Sequence, residues 1–380
     1  MTKKIRIGIV GLQPELSWAA RAHLPALQSL SDIYEIVGVA NTSQASANAA
    51  ARACGIPIAF ENIAAMAASP DIDVIAVTVR VPFHLELVRA AVTGGKHIYC
   101  EWPIGNGLTE AVEMADMVRK AGVLGVSGTQ ARVASEVLYL RQLIADGYVG
   151  KVLSSTITAW GRSWGAEHDD VQSRGYLLER KNGANMLTIP MGHTLAAVRE
   201  VLGDFSEIAT IVDNRRGVIR VPETGEMVPF DAPDQVVVCG RIGDGAPISM
   251  HYRGGMPRGK VGLVWEINGT EGDLRVTGLH GGSQQVKLSL EGGRGDDRTA
   301  MEPITLPESY TTGNWPDNVN PGNVARLYAR MAHDLRNGTR TAPTFDDGVE
   351  LHRVIDAIER ASETGKWVRV NAPNRPLPTP

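Results

Sequence analysis

Short apolar, β-branched runs separated by helix-length segments dominate the first third of the chain. Ile5 to Val10 is such a run and predicts a buried strand. The loop Gly11 to Leu16 follows, and Ser17 offers a cap for a helix through Trp18, Ala22 and Leu27. Further strands are expected at Tyr34–Ala40, Ile58–Phe60, Val74–Val79, His97–Cys100 and Val123–Ser127. Helices fill the gaps at Ser43–Ala53, His84–Thr93 and Thr109–Lys120. Strands alternating with helices make crossover units, hence an α/β domain with a doubly wound parallel sheet over residues 1–128.

From about Gly128 the rhythm changes. A helix (Ser135–Asp146), a strand (Lys151–Trp160), a polar loop (Gly161–Lys181) and a helix (Asn185–Leu202) lead into longer strands. These are expected at Phe205–Val212, Asp234–Ile242, Ala246–Arg253, Gly262–Gly269, Asp273–Thr277 and Gln285–Leu290, with alternating polar and apolar positions. Alternation predicts a mostly antiparallel sheet with one covered face, so residues 129–380 are expected to form an α+β domain. Gly281-Gly282 and Gly292 to Gly295 read as hairpin tips or loops. Asn323–Asn337 and Gly348–Gly365 read as closing helices, and the Pro-rich stretch Ala372–Pro380 as a loose tail.

Composition narrows the function classes. The 380 residues are 43% hydrophobic and 21% charged, with net charge −4, which argues against a basic field for nucleic acid. Three cysteines, Cys54, Cys100 and Cys239, lack metal spacing, so neither a disulfide framework nor a metal site is expected. No apolar run approaches the roughly 20 residues of a membrane span, and Met1 to Ile5 carries no signal-peptide core. The expected setting is cytoplasmic, without membrane or nucleic-acid partners.

The candidate chemistry lies at the carboxyl ends of the predicted parallel strands, where ligands bind in such sheets. The first turn carries Gly11, Leu12 and Gln13, with Gln13 in the second glycine position of a G-x-G-x-x-G fingerprint. The helix start at Ser17-Trp18 offers N–H groups to an anion. Asn41-Thr42-Ser43 ends the second strand. Asn41 can bond ribose hydroxyls, no carboxylate repels a 2′-phosphate, and no arginine attracts one, so NAD is preferred and NADP remains possible. Val79-Arg80, Pro82 and His84 follow the fourth strand. Glu101-Trp102-Pro103 ends the fifth: Glu101 can bond a ribose or amide, and Pro103 fixes the backbone so that Trp102 is aimed into the cleft.

Together these residues resemble the Gfo/Idh/MocA family of oxidoreductases. The resemblance runs through the opening strand with Gly11, Pro82-Phe83-His84, Glu101-Trp102-Pro103 and Leu143 to Val152. It continues through Gly183-Ala184-Asn185 to Gly192-His193 and the turn Gly269-Thr270-Glu271-Gly272. It implies an N-terminal Rossmann domain, a C-terminal domain with an open sheet, and a nicotinamide cofactor. The family's strand exit usually reads Glu-Lys-Pro, its lysine assisting hydride transfer; here Trp102 replaces the lysine. An aspartate four residues before His193 is replaced by Ile189. Trp102, Val79-Arg80-Val81-Pro82, Ser17-Trp18-Ala19 with His23-Leu24-Pro25, Gly128-Thr129-Gln130 and Leu187-Thr188-Ile189-Pro190 resemble the branch related to the fungal galactose-regulon repressor. That likeness adds Gln130 to the cofactor site, and Asn185 and Thr188 to the substrate site.

Hydride transfer needs a group that takes the hydroxyl proton. Trp102 cannot, since an indole only donates. His193 can, because an imidazole titrates near neutrality, and Tyr176 and Tyr252 are held in reserve. Arg162, Trp164, Arg174, Arg180 and Lys181 follow the strand ending at Trp160, with Arg162 and Trp164 favoured to join Trp102 at a sugar. The expected activity is NAD(P)-dependent oxidoreduction of a sugar or sugar derivative by a homodimer or homotetramer associating through its C-terminal sheet. Two alternatives stand: a redox-neutral NAD-dependent glycosidase, and a dinucleotide-binding regulator without catalysis.

Overall fold

A computed structural model describes residues 3–370 except 163, 167–174 and 297; Arg174, Asp297 and the tail lie outside the described residues. The chain folds into two compact units. Residues 1–130 and 313–349 build the first, and 131–312 and 350–380 the second. The expected division after residue 128 thus misses the return of 313–349 to the first unit.

In the first unit, β1 (Ile5–Val10), β2 (Tyr34–Ala40), β3 (Ile58–Phe60), β4 (Val74–Val77), β5 (His97–Glu101) and β6 (Gly125–Gly128) form one sheet in the order β3-β2-β1-β4-β5-β6. All its pairings are parallel. Ile7, Ile9 and all of β4 are buried, which explains the unbroken apolar run Val74–Val77. The predicted helix after the first loop is instead a π-helical turn, Ala19–His23, followed by an α-helix, Leu24–Ser29. The Ser17 hydroxyl accepts from Ala20 N–H at 3.2 Å, although the turn's N-cap is Trp18 rather than the expected Ser17.

The returning segment explains the missed boundary. Helix Val319–Asn337 buries Val324, Leu327, Tyr328 and Met331. Tyr328 packs on Tyr99 (ring centroids 4.8 Å) and Tyr34 (5.4 Å). Beyond the helix, Ser127 N–H donates to the Pro343 carbonyl at 2.8 Å, fastening 339–344 to β6. Asp334 organises that turn. Its carboxylate accepts from the amides of Thr341 and Ala342 at 2.8 Å, and from the hydroxyls of Thr339 (2.6 Å) and Thr341 (2.9 Å). Burial pushes its pKa up, but these donors outweigh burial and hold it below the usual aspartate range. A carboxyl lowered in the folded state stabilises above its unfolded pKa and loses that contribution as pH falls through the folded value. Asp334→Asn is therefore expected to cost about 2 kcal/mol at neutral pH, with the deficit shrinking in acid. Denaturant melts across pH check this, and a pH-independent deficit contradicts it.

The second unit is a nine-stranded sheet. In chain order its strands are β7 (Val152–Trp160), β8 (Phe205–Asp213), β11 (Gln235–Ile242), β12 (Ala246–Arg253), β13 (Leu263–Gly269), β14 (Gly272–Gly278), β15 (Ser289–Arg294), β16 (Glu302–Ile304) and β17 (Val368–Arg369). A separate hairpin, β9 (Val218–Arg220) with β10 (Met227–Pro229), interrupts the series. The sheet order is β16-β15-β14-β13-β7-β12-β11-β8-β17. Only β7 and β12 pair in parallel. Alternation sets the faces: Val236, Val238, Ile248, Met250 and Tyr252 are buried, while Cys239, Arg241, Pro247 and Ser249 border an open groove with Glu207 and Trp367. The predicted strand Gln285–Leu290 begins only at Ser289. Gly292 and Gly293 lie within β15 opposite Leu274 and Asp273, not at a hairpin tip. A side chain on Gly292 would strike the Tyr148 hydroxyl, so this glycine serves close packing rather than a turn.

Candidate functional site

Parallel pairing brings every predicted cofactor residue of the first unit to one edge of its sheet. The strand order reverses between β1 and β4, and there Gly11 meets the β4 exit. Gly11 has φ +97°, and a Cβ added to it would lie 2.6 Å from Val79 Cγ1. Only glycine fits that turn. The following loop is closed by Ser17, whose hydroxyl accepts from Gln13 N–H at 3.0 Å and donates to Gln13 O at 2.9 Å. Glu15 takes φ +65° within it, a left-handed conformation that glycine adopts more easily than other residues. Gln13 is exposed and Trp18 half-buried. Leu12 is fully buried and offers its backbone alone.

Asn41 fixes the second strand's exit. Its amide donates to the carbonyls of Leu12 (2.8 Å) and Ser46 (3.3 Å), which leaves Oδ1 buried and without a partner. Trp18 Nε1 is likewise buried and unpartnered. One loose acceptor and one loose donor beside a glycine turn fit a dinucleotide's hydroxyl and phosphate groups. Ser43 caps the next helix, accepting from Ser46 N–H at 3.2 Å, and Thr42 is exposed. Arg80 and Pro82 are exposed at the β4 exit.

His84 corrects its sequence reading. It is buried, with Nδ1 2.9 Å from Pro103 O and Nε2 3.0 Å from Val79 O. Burial lowers its pKa against the pull of these carbonyls. Both ring nitrogens face protein backbone, so His84 clamps the β4 exit to the Glu101-Trp102-Pro103 loop. Cys100, beside it, is pushed well above the usual thiol range by burial and then by Glu101, which leaves it inert.

Glu101 is the most constrained group at this edge. It accepts from Gln130 Nε2 at 2.8 Å on both oxygens and from His23 Nε2 at 2.9 Å. A Cβ on Gly128 would sit 3.0 Å from Glu101 Oε1, so that glycine makes room for the carboxylate. Gln130 Oε1 and Thr129 Oγ1 are buried without partners. Trp102 is 4% exposed and joined to Pro103 by a cis peptide bond. Such a site fits a nicotinamide dinucleotide: Gly11 would admit its phosphates, Asn41 Oδ1 would accept from a hydroxyl, and Glu101 and Gln130 would bond its other end. His23, Tyr99 and Tyr328 belong to this cluster and were not among the predicted site residues. The motif His23-Leu24-Pro25 was the only sequence signal for the first, and nothing local marks the others.

In the second unit Tyr252 lies in β12, and Arg162, just beyond β7, bridges to Gly255 beyond β12. His193 is 3% exposed, in the first turn of helix Gly192–Leu202. Its neighbour Thr194 donates to Gly281 O at 3.3 Å and Ser283 Oγ at 2.9 Å. Tyr252 is fully buried, and its hydroxyl donates to the same Gly281 carbonyl at 3.0 Å. Burial pushes its pKa far up. Tyr252 therefore supports the 281 turn, and a general-base role is withdrawn.

Asn185 and Thr188 form a reciprocal helix cap. Asn185 Oδ1 accepts from the amides of Leu187 (2.9 Å) and Thr188 (3.2 Å), while Thr188 Oγ1 accepts from Asn185 N–H at 2.9 Å. Asn185 Oδ1 and Thr188 Oγ1 are thus spent on capping the turn that leads to His193. Tyr176 is half-buried, and its carbonyl accepts from Asn182 at 2.8 Å. Arg162 is exposed at φ +61°, and Trp164 packs close to Gly161. Arg180 and Lys181 are committed to Glu359 and Glu179. His280, absent from the sequence-based candidates, accepts from Gly282 N–H at 3.1 Å. Burial, then the Arg162 charge, lowers its pKa to about 4, so it is a neutral ring at neutral pH.

Comparison with known proteins agrees with this division. Residues 5–129 match the oxidoreductase family with NAD-binding Rossmann fold (GFO_IDH_MocA), and residues 135–278 match the Gal80p C-terminal domain. The dehydrogenase aclE of Aspergillus oryzae is 28% identical, over 96% of this chain and 98% of that protein. A levoglucosan dehydrogenase of Pseudarthrobacter phenanthrenivorans is 24% identical over 96% of each. The crystal structure of a super-repressor mutant of Gal80p from Saccharomyces cerevisiae superposes with a TM-score of 0.87 at 26% identity. That match covers 97% of this chain and 98% of that one.

Proposed function

We propose, from a chain that belongs to the Gfo/Idh/MocA oxidoreductase family and carries a Gal80-like C-terminal domain, that it is an NAD-dependent oxidoreductase of a sugar or sugar derivative. The observation that carries this reading is the held carboxylate of Glu101 on the same sheet edge as the glycine turn at Gly11. The cofactor, when bound, supplies the hydride acceptor. The chain's own residues orient it: Gly11 admits the phosphates, Asn41 Oδ1 meets a ribose hydroxyl, and Glu101 and Gln130 bond the nicotinamide half. Asn41 favours NAD, because its unpartnered Oδ1 accepts from a hydroxyl, while its amide hydrogens are already given to Leu12 and Ser46 carbonyls and not to a phosphate. Trp102 shapes the pocket without handling protons, and His193 takes the substrate's hydroxyl proton. Both relatives are named as dehydrogenases, and the one named for levoglucosan supports the sugar assignment.

A second reading is a dinucleotide-binding regulator. Its support is the replacement of the family's lysine by Trp102, together with the full-length likeness to Gal80p. One experiment separates them. The protein is given NAD and a panel of sugars and polyols, while the absorbance band of reduced nicotinamide is followed. Growth of that band with one sugar class is expected. Tight NAD binding with no reduction across the panel would favour the regulator.

A further inference from the structure

We propose that His23 is a positioning residue of the cofactor site, fixing the Glu101 carboxylate and tying it to the phosphate-binding turn. The proposal rests on the reading that Glu101 meets the bound dinucleotide. His23 ends the π-helical turn Ala19–His23, five residues beyond Trp18 and the loop that Ser17 closes. It is 0% exposed, and both ring nitrogens are engaged: Nε2 lies 2.9 Å from Glu101 Oε1 and Nδ1 2.8 Å from the Tyr328 hydroxyl.

These partners define the tautomer. A carboxylate only accepts, so Nε2 carries the hydrogen, and Nδ1 accepts from the Tyr328 O–H. Tyr328 stays a phenol, because burial pushes its pKa well up. The ring is also held edge-on, against Tyr99 at 5.1 Å and 86° and against Tyr328 at 5.7 Å and 78°. Tyr34 donates to the Tyr328 backbone carbonyl at 2.8 Å, which fastens that helix in turn. With Gln130 bonding the carboxylate as well, and Oε1 filling the space a side chain on Gly128 would need, Glu101 is held in one orientation. The same side chain therefore links the turn that receives phosphates, the strand exit at Glu101 and the returning helix Val319–Asn337. Preorganised groups bind without an ordering cost at the moment of binding.

Two substitutions divide the ring's bonds. Gln at position 23 places an amide N–H where Nε2 donates, whereas Asn reaches only as far as Nδ1 and keeps the Tyr328 bond. The full-length protein is titrated with NADH by nicotinamide fluorescence, and each variant's melting temperature is measured alongside. His23→Asn is expected to weaken NADH binding about 10-fold or more, the scale of a lost hydrogen bond to a charged group. His23→Gln is expected to stay within about threefold of wild type. His23→Met, without a donor, repeats the loss if the asparagine variant is unstable. Equal affinities for the Asn, Gln and wild-type proteins, or equal losses in both variants, would overturn the proposal. Wild-type protein that binds no dinucleotide would sink this proposal and the functional reading together. Binding weakened by Glu101→Gln but unchanged by His23→Asn would sink this proposal alone.

Discussion

Gly11→Val is expected to lower NAD affinity at least about 100-fold, with some loss of stability besides. Two effects combine at one position. The backbone sits at φ +97°, and the first carbon of any side chain would lie 2.6 Å from Val79 Cγ1. A β-branched residue must therefore push apart the exits of β1 and β4, the place where pyrophosphate approaches the backbone. The loss of one close-approach site costs several kcal/mol in binding, and about 1.4 kcal/mol is tenfold. Titration with NAD reads the effect, and far-UV circular dichroism checks that the sheet survives. A variant that is folded and titrates like wild type would mean that phosphates bind elsewhere.

His193→Asn is expected to keep NAD affinity and to slow turnover about 10²–10⁴-fold, the span for loss of a general acid–base group. The structure narrows the alternatives. Trp102 has only an N–H to donate, and Tyr252 is sealed beneath Gly281 with its pKa raised by burial. His280 is a ring kept neutral by burial and by Arg162, better suited to donating a hydrogen bond than to taking a proton at neutral pH. An unchanged rate in His193→Asn would pass the role to Tyr176 or a water. Turnover measured at saturating NAD keeps chemistry separate from cofactor binding.

Much of the first unit was legible because its chemistry is local. Apolar, β-branched runs marked β1, β2 and β4, unbroken only in β4, and the strand exits at Gly11, Asn41 and Glu101 fall where a parallel sheet collects them. What escaped was long-range. The pairing of His23 with Glu101 spans 78 residues, and that of His23 with Tyr328 spans 305; neither leaves a periodic trace. The return of 313–349 was invisible for the same reason, since Val319–Asn337 reads as an amphipathic helix whichever unit it covers. Roles were harder to read than positions. His84, Asn185 and Thr188 stand beside the site in sequence, yet their polar atoms bond backbone, a choice decided by packing. The π-helical turns at Ala19–His23 and Leu187–Met191 share the apolar spacing of ordinary helices and were read as such.

The origin of the hydride tests the central claim most directly. With a sugar substrate deuterated at its carbon positions and unlabelled NAD, mass spectrometry of the recovered cofactor follows where the carbon-bound deuterium goes. Oxidoreduction predicts one deuterium on each reduced nicotinamide and an equal amount of oxidised sugar. Release of an aglycone from a glycoside with no net reduced cofactor, and with solvent hydrogen entering the sugar beside the oxidised carbon, would contradict it and point to transient oxidation in a redox-neutral cleavage.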